Sequence, residues 1–292
     1  MKIGNCDNPI IVERKIDENL LKLNRKGFLN GHTPFSAYLA FLSVLCAVLF
    51  NYKSIAFSNE RSSNEGNLKY LGKIINHQYS KSFDFEKKFR YYSKKYLAKN
   101  VEYFSFLRPL YEIQIGKIFS KYPQYFNAFL SCNEAYKTYS GRKKPINPEQ
   151  IASRLYGARK WCGRCPKCLF VFTALYLFIE ESELLKIFRK NLFEDKKLLT
   201  LMLELIGERK FKPFECVGTK KESRIAFYLS WKKYRERFSV KLPFLLKYFE
   251  EKILNSLPRR ILSDSERFLR GWSNQHNLPE KFEKILKKYI KI

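Results

Sequence analysis

Three closely spaced cysteines constrain this chain more than any other feature of its sequence. The segment from Trp161 to Cys168 reads WCGRCPKC, so two-residue spacings separate Cys162, Cys165 and Cys168. Such spacings let three thiolates converge from one tight turn, and tetrahedral zinc needs a fourth ligand to close the site. Short cysteine spacings also occur in iron–sulfur proteins. The pattern favours zinc over an iron–sulfur cluster or ordinary buried cysteines.

Cys132 is the candidate for the fourth ligand, because it follows a run, Phe126–Ser131, that is predicted to be a strand. A site closed by four thiolates has no open coordination position, so the predicted zinc is structural. Lys160, Arg164 and Lys167 are expected to offset the negative charge of the thiolates.

Bulk composition limits the classes of protein that need to be considered. The chain has 292 residues, of which 45% are hydrophobic, and this argues for a packed core. An odd number of cysteines and no secretory signal indicate a cytoplasmic protein without a disulfide framework. No apolar run reaches the roughly 18 residues of a spanning helix, so membrane insertion is not expected.

The net charge of +28 suits an anionic partner, such as a nucleotide, a phosphorylated substrate, a nucleic acid or an acidic lipid surface. The charges are scattered along the chain in ones, twos and threes. A surface of ordinary solvated lysines is therefore the alternative interpretation.

The N-terminal part alternates between predicted strands and helices. Ile10–Val12 is predicted to be a strand, Asp17 to cap a helix that runs through Leu23, and Phe35–Phe50 to be a buried helix. Ser54–Ser58 is a second predicted strand, and a polar loop, Asn59–Asn67, follows it. This alternation is typical of a parallel α/β sheet, in which ligands bind beyond the carboxyl ends of the strands.

Further along the chain the pattern becomes helical. We predict a helix over Phe83–Lys99, a strand over Tyr103–Leu107 and a helix opened by Pro109. From Cys168 onward nearly every segment has a helical pattern, including a second apolar run, Leu169–Ile179, that is predicted to be buried. These observations divide the chain into an α/β domain at 1–131, a zinc-binding segment at 132–170 and a helical domain at 171–292.

Seven sequence blocks carry a resemblance to a known family: Asn30–Ser36, Ser58–Glu60 with Asn64 and Asn67, Asn76–Ser82, Phe104–Leu110, Ser131–Asn133, Trp161–Val171 and Phe214–Gly218. Together they resemble the UDP-N-acetyl-α-D-muramoyl-L-alanyl-L-glutamate epimerases, relatives of the PP-loop ATP pyrophosphatases. The cysteine cluster alone also resembles the zinc site of the deazaguanine synthases of that superfamily.

The resemblance implies a fold and a reaction. The fold would be a partial Rossmann-like PP-loop sheet with a zinc knuckle and a helical C-terminal domain. The enzyme would use ATP and Mg²⁺ to adenylate the terminal L-glutamate of the UDP-muramoyl-dipeptide, invert the α-carbon and hydrolyse the adenylate, with release of AMP and pyrophosphate. The alternatives are another PP-loop adenylating enzyme, acting on tRNA or a nucleobase, and a non-catalytic zinc protein that binds nucleic acid.

The sequence departs from the PP-loop pattern in one respect. An SGGKDS-like phosphate loop, whose backbone N–H groups would cradle pyrophosphate, is not found in this sequence. We expect a truncated reading frame, or a partner that supplies the phosphate loop from a separately encoded N-terminal segment. For the epimerase interpretation, nucleic acid is not an expected partner.

The chemistry of inversion points to candidate residues. Adenylation neutralises the carboxylate, so that a base can remove the α-proton and an acid can return one on the opposite face. Cys216 is a candidate base because it lies in a polar turn before a helix, although a buried structural cysteine is the alternative. His77, within the polar run NHQYSKS, is the second candidate acid–base group.

Other polar residues of the same blocks are predicted to bind the substrate. Lys81 and Arg108 suit carboxylate or phosphate oxygens, Arg108 through a bidentate fork. The remaining predicted substrate-binding residues are Asn59, Glu60, Asn64, Asn76, Gln78 and Glu215.

Overall fold

The computed structural model of the chain describes residues 2–28, 34–136, 161–209, 212–237 and 241–290. Its strands are β1 (Ser54–Phe57), β2 (Leu68–Tyr70), β3 (Lys73–Ile75) and β4 (Glu102–Ser105). β1 and β4 pair in parallel, with Ala56 beside Phe104, and β2 and β3 form an antiparallel hairpin. β1 and β4 confirm the strands predicted over Ser54–Ser58 and Tyr103–Leu107. The described residues thus form a mixed α/β structure with a small parallel sheet.

The helices of the N-terminal part are α1 (Glu18–Arg25), α2 (Phe35–Leu49), α3 (Phe83–Tyr92), α4 (Glu112–Phe119) and α5 (Asn133–Tyr136). The predicted cap of α1 is confirmed, since the Asp17 carboxylate accepts the N–H of Asn19 at 2.7 Å. α3 is shorter than predicted, because a π-helical turn over Ser93–Leu97 replaces its last part. Ser82 caps α3 by accepting the N–H of Phe85.

Three predictions of secondary structure were wrong. Ile10–Val12 has no regular secondary structure, and Ile11 is 76% exposed because no described strand lies beside it. Pro109 lies in a turn, and the helix that follows begins at Glu112. Phe126–Ser131 is irregular because its first residues form a tight turn, in which the N–H groups of Ala128 and Phe129 bond the Tyr125 carbonyl at 3.0 Å.

The prediction that α2 is a buried helix holds for only one of its faces. Ala40, Val44 and Ala47 are buried, and this face packs toward Phe89 and Tyr103. The opposite face carries a stripe of large apolar side chains that are more than two-fifths exposed: Phe35, Tyr38, Phe41, Leu45, Val48 and Leu49. We call this the outer stripe of α2.

The helices of the C-terminal part are α6 (Pro166–Tyr176), α7 (Glu181–Phe188), α8 (Leu199–Ile206), α9 (Lys220–Arg237), α10 (Phe244–Tyr248), α11 (Arg259–Ser263), α12 (Ser265–Leu269) and α13 (Glu280–Ile290). α6 is the central helix, since Lys167–Phe170 and Phe172–Tyr176 are all buried. Pro166 opens it at a position where no N–H is needed, and Cys165 precedes it as the N-cap residue. The second apolar run is therefore a buried helix, as predicted.

One hydrophobic cluster joins the cysteine segment to the C-terminal helices. It includes Cys165 and Cys168 together with Phe172, Phe193 and Phe249. A smaller cluster packs α13 against β4 through Leu286 and Phe104. Among the described residues, none of the helices combines the length and the apolar character needed to cross a membrane.

Candidate active site and metal centre

The four predicted metal ligands meet at the amino end of α6. The Sγ atoms of Cys132, Cys162, Cys165 and Cys168 all lie within 4.8 Å of one another. Cys168 Sγ is 3.5 Å from Cys165 Sγ and 3.6 Å from Cys162 Sγ. Four thiolates around tetrahedral zinc, with bonds of about 2.3 Å, have sulfurs roughly 3.8 Å apart. The group therefore has the donor set and the spacing to hold a metal ion.

Local backbone geometry explains how these thiols converge. Gly163 has a φ of +64°, which turns the chain sharply between Cys162 and Cys165. Hydrogen bonds from the thiols of Cys165 and Cys168 lower the pKa of Cys132, and the bond to Cys132 raises the pKa of Cys165 to about 12. The thiols are thus close enough to interact directly, and a dication would supply the counter-charge for several thiolates.

A second set of polar side chains lies beyond the carboxyl ends of β1 and β4. Asn59 and Glu60 follow β1, and Arg108 follows β4. Asn59 Nδ2 donates to Ser105 Oγ at 3.2 Å, and this bond ties the two strand ends together. The loop after the second predicted strand is therefore close to the block that contains Arg108.

Arg108 is fully buried and bonded to protein atoms on all sides. Its guanidinium donates to the backbone carbonyls of Glu60 at 2.7 Å and Lys81 at 2.6 Å. It also bonds the hydroxyls of Ser63 and Ser105 and lies 3.3 Å from the Glu86 carboxylate. With an exposure of 0%, Arg108 holds the Glu60 and Lys81 loops in place and does not reach a ligand in this conformation.

Lys81 and Cys216 form the central contact of the site. Lys81 Nζ donates to Cys216 Sγ at 3.1 Å, and both side chains are partly exposed. The 3₁₀ turn Tyr79–Lys81 presents the lysine, while Cys216 lies in the loop before α9. An ammonium group beside a thiol is an arrangement found at reactive cysteines.

Lys167 connects this contact to the cysteine cluster. Its ammonium donates to Glu112 Oε1 at 2.7 Å and to the backbone carbonyl of Cys216. Its backbone N–H donates to Glu215 Oε2 at 3.1 Å. Burial lowers the pKa of Lys167, but the charges of Glu112 and Glu60 outweigh it, so the pKa is raised. The prediction that Lys167 neutralises the thiolates was wrong, because its ammonium group pairs with Glu112 instead.

Two carboxyl groups beside this contact are partly buried. Burial and the nearby charge of Glu112 raise the pKa of Glu60, while Lys81 and Lys167 oppose that shift. Burial also raises the pKa of Glu215, whose bond with the Lys167 N–H acts in the other direction. Carboxyl groups whose pKa is raised by burial and by neighbouring charges often occur at functional sites.

Glu222 joins the amino ends of two helices beneath the site. Its carboxylate accepts the N–H of Thr219 at 2.6 Å and that of Ile113 at 3.2 Å, while Thr219 Oγ1 accepts the Glu222 N–H. Burial raises the pKa of Glu222 to about 7 despite these bonds. Sequence reasoning missed this role, although TKKE at 219–222 has the spacing of a capping box.

The other predicted residues mostly shape the loops around the site. Asn64 Oδ1 accepts the N–H of Phe83 at 2.8 Å, and Asn76 Nδ2 donates to the carbonyl of Ser63 at 2.8 Å. Gln78 is buried, and its Oε1 has no hydrogen-bond partner within the part of the chain that the structure describes. Of the first resemblance block, residues 30–33 lie outside the described residues.

His77 lies at the edge of the loop that carries Cys216. Its Nδ1 is 2.6 Å from Asn67 Oδ1, and its ring packs edge-on against Phe214. Asn67 in turn donates to the carbonyl of Pro213 at 3.2 Å. The structure thus brings His77 near the Cys216 loop, in contact with Asn67 and Phe214.

Gly218 gives the same loop its close fit against α6. A Cβ at this position would overlap the ring of Phe170 and lie 3.2 Å from Glu222 Cδ. Only a hydrogen atom fits there, so the loop passes directly over the first turns of α6. Cys216, Gly218 and the cysteine cluster are therefore parts of one packed unit.

Comparison with known proteins identifies this unit. The chain matches the MurL N-terminal domain over residues 4–106 and the MurL C-terminal domain over residues 128–242. The candidate site lies between these matches, because Glu60 and Lys81 belong to the first match and Lys167 and Cys216 to the second.

Curated relatives carry one name. A UDP-N-acetyl-alpha-D-muramoyl-L-alanyl-L-glutamate epimerase of Xanthomonas oryzae pv. oryzae is 37% identical over 215 residues, which is 74% of this chain and 45% of the relative. Epimerases of the same name from Micromonospora sp. and Salinispora tropica are 35% and 36% identical over 76% and 75% of this chain, and these matches cover 46% and 45% of the two relatives. The chain therefore spans about half the length of the curated relatives it matches. No solved structure matches it. The matches to both domains and to the curated epimerases show that this chain belongs to the MurL family.

Proposed function

We propose that this chain forms the part of an isomerase that inverts the terminal L-glutamate of UDP-N-acetyl-α-D-muramoyl-L-alanyl-L-glutamate in peptidoglycan precursor synthesis. The observation that carries the proposal is the contact of Lys81 Nζ with Cys216 Sγ at 3.1 Å between the two matched domains. The printed name of the relatives supplies the substrate.

The reaction needs an activation step before a proton can move. A carboxylate makes the neighbouring α-proton very weakly acidic, and an acyl-adenylate formed from ATP removes that charge. We propose ATP as a co-substrate, with Mg²⁺. Pyrophosphate would leave when the acyl-adenylate forms, and hydrolysis of the acyl-adenylate after inversion would release AMP and restore the carboxylate. The parallel β1–β4 pair would belong to a Rossmann-like PP-loop sheet, and a further segment, on the same or a separate chain, would supply the phosphate loop.

Within this chain, Cys216 and Lys81 are the proposed proton-transfer pair. Cys216 would take or return the α-proton on one face of the glutamate, and the Lys81 ammonium would stabilise the charge that moves. Glu60 supports this proposal, since its desolvated carboxyl group has Lys81 as an electrostatic neighbour. His77 remains a candidate for the second face, because its ring lies against the Cys216 loop through Phe214.

We propose that Cys132, Cys162, Cys165 and Cys168 hold a structural Zn²⁺. The fit rests on four sulfur donors within 4.8 Å and on the left-handed turn at Gly163. With four thiolates, the ion has no free position for a water or a substrate, so it would supply folding energy and no step of the reaction.

The nucleotide-linked substrate suits a cytoplasmic enzyme.

The test is formation of AMP and D-glutamate from UDP-muramoyl-L-alanyl-L-glutamate with ATP and Mg²⁺. The assay would use this chain alone and together with the unmatched half of the Xanthomonas relative. The expected result is both products, formed in parallel, in at least one of these preparations. AMP without D-glutamate would indicate another adenylating enzyme. If neither product forms in either preparation, the proposal is refuted.

A matched pair of variants makes the assay specific to the proposed site. Cys216→Ser should abolish D-glutamate formation, whereas Cys6→Ser changes an exposed cysteine far from the site in sequence and should have no effect. Equal activity in both variants would remove Cys216 from the mechanism.

A further inference from the structure

The loop that carries Cys216 has very little regular structure of its own. Residues 212–219 form bends between α8 and α9, and the internal backbone bond of this stretch joins the Val217 N–H to the Glu215 carbonyl at 2.9 Å. Its position must therefore come from contacts with neighbouring elements. Two such contacts are the hydrogen bond from Asn67 to the Pro213 carbonyl and the hydrogen bond from Lys81 to the Cys216 thiol.

Lys167 holds two consecutive residues of this loop at the same time. Its backbone N–H bonds the Glu215 carboxylate at 3.1 Å, and its ammonium bonds the Cys216 carbonyl. The first of these bonds satisfies one of the N–H groups that every helix leaves unpaired in its first turn. The negative charge of Glu215 is also favourable at the amino end of α6.

The position of Lys167 is set in turn by the cysteine cluster. It lies between Cys165 and Cys168 in the first turn of α6, so a metal ion on those thiolates would fix the peptide that carries its N–H. The Nζ atom of its side chain lies 2.7 Å from Glu112 Oε1. The same residue thus lies between two cysteines of the cluster and bonds the Cys216 loop through both of its donors.

We infer that Lys167 is a positioning residue that makes the order of the Cys216 loop depend on metal at the four-cysteine centre. With the ion bound, the first turn of α6 is fixed and presents two donors to Glu215 and Cys216. Without it, that turn loosens, and the contact between Lys81 and Cys216 is lost with it. The inference rests on the proposed function only for the importance of Cys216; the linkage itself needs no turnover.

The test is amide hydrogen exchange of zinc-loaded chains, read by mass spectrometry on peptides that cover residues 214–219. We expect Lys167→Met to bind zinc as the wild type does and to speed exchange in this loop about tenfold or more, as expected for losing bonds to a charged group. Lys167→Arg keeps a cation and should restore most of the protection. Arg164→Met is the matched control, since Arg164 lies in the same turn but is exposed, and it should behave as wild type.

Two further measurements keep the inference open to refutation. Glu215→Ala removes only the acceptor of the Lys167 N–H and should also speed exchange in the loop, even if Lys167→Met folds poorly. Removing zinc from the wild type should also speed amide exchange in the peptides that cover residues 214–219. Wild-type protection in Lys167→Met and Glu215→Ala, or an equal rise throughout α6 to α9, would overturn the positioning role.

The outcome is separable from that of the epimerase assay. Loss of loop protection without any epimerase activity would uphold the linkage and refute the proposed function. Epimerase activity with unchanged loop protection in the variants would uphold the function and refute the linkage.

Discussion

Lys81 Nζ lies 3.1 Å from Cys216 Sγ, although 135 positions of sequence separate the two residues. The contact joins the two matched domains, because Lys81 follows the β2–β3 hairpin and Cys216 precedes α9. The backbone of each residue is also held by a hydrogen bond from a third residue. Arg108 holds the carbonyl of Lys81, and Lys167 holds the carbonyl of Cys216.

This contact predicts a split between the two half-reactions. Lys81→Met should reduce D-glutamate formation by about 10²-fold or more, the usual size of a general acid–base contribution. AMP formation should fall much less, because the proposed pair acts after adenylation. Both products are measured in one reaction mixture, and a parallel loss of AMP and D-glutamate would instead assign Lys81 to substrate or nucleotide binding.

The four-cysteine centre predicts the metal content of the protein. The purified chain should carry one zinc ion, and Cys168→Ser should lose it together with much of the thermal stability, because metal binding at such a site contributes directly to folding. Zinc is measured by elemental analysis and stability by the unfolding temperature. Cys6→Ser, at an exposed position outside the cluster, should leave both unchanged. Iron and sulfide in place of zinc would contradict the assignment.

Glu222 predicts how stability depends on pH. Its pKa is raised from 4.5 to about 7 in the folded protein, so the folded state holds a proton that the unfolded state releases earlier. This contribution to stability is complete below pH 4.5, falls as pH rises and is fully lost above pH 7. Glu222→Gln cannot ionise, so its stability relative to wild type should rise by about 2–3 kcal/mol between pH 4.5 and 8.

The measurement is urea unfolding of both proteins across that range. The comparison cancels the hydrogen bonds that the variant loses at every pH. A difference between the two proteins that does not change with pH would show that the Glu222 carboxyl group titrates normally.

Arg108 predicts a large loss of stability from a single substitution. Arg108→Met would leave the Glu86 carboxylate buried without its partner, which typically costs about 3–5 kcal/mol. Loss of the bonds to the Glu60 and Lys81 carbonyls would also loosen the site. Arg25→Met, on the exposed α1, serves as the control and should change the unfolding free energy by less than about 0.5 kcal/mol.

Local patterns predicted the parts of this structure that depend on neighbours in sequence. Cysteine spacing was sufficient for three of the four clustered thiols, because C-x2-C-x2-C brings its own sulfurs together. The strand at Ser54 and the helix at Phe35 follow from apolar runs with polar ends. The capping role of Asp17 is equally local, since its acceptor and the Asn19 N–H are two residues apart.

The errors and omissions come from contacts that are distant in sequence. Ile10–Val12 has the composition of a strand, but a strand also needs a partner beside it. Lys167 looked like a counter-charge for thiolates, whereas Glu112, 55 positions away, attracts its ammonium. The substrate-binding interpretation of Arg108 could not anticipate five protein acceptors from three separate segments. Only the folded chain shows which polar groups are already occupied.

The outer stripe of α2 has a practical consequence for colloidal behaviour. Leu45, Val48 and Leu49 are 55%, 56% and 68% exposed, and apolar patches of this kind promote self-association. The net charge of +28 opposes this through mutual repulsion between molecules, but dissolved salt screens that repulsion. High salt is often used to keep basic proteins in solution. For this protein, high salt should instead promote self-association, and low salt should keep the molecules apart.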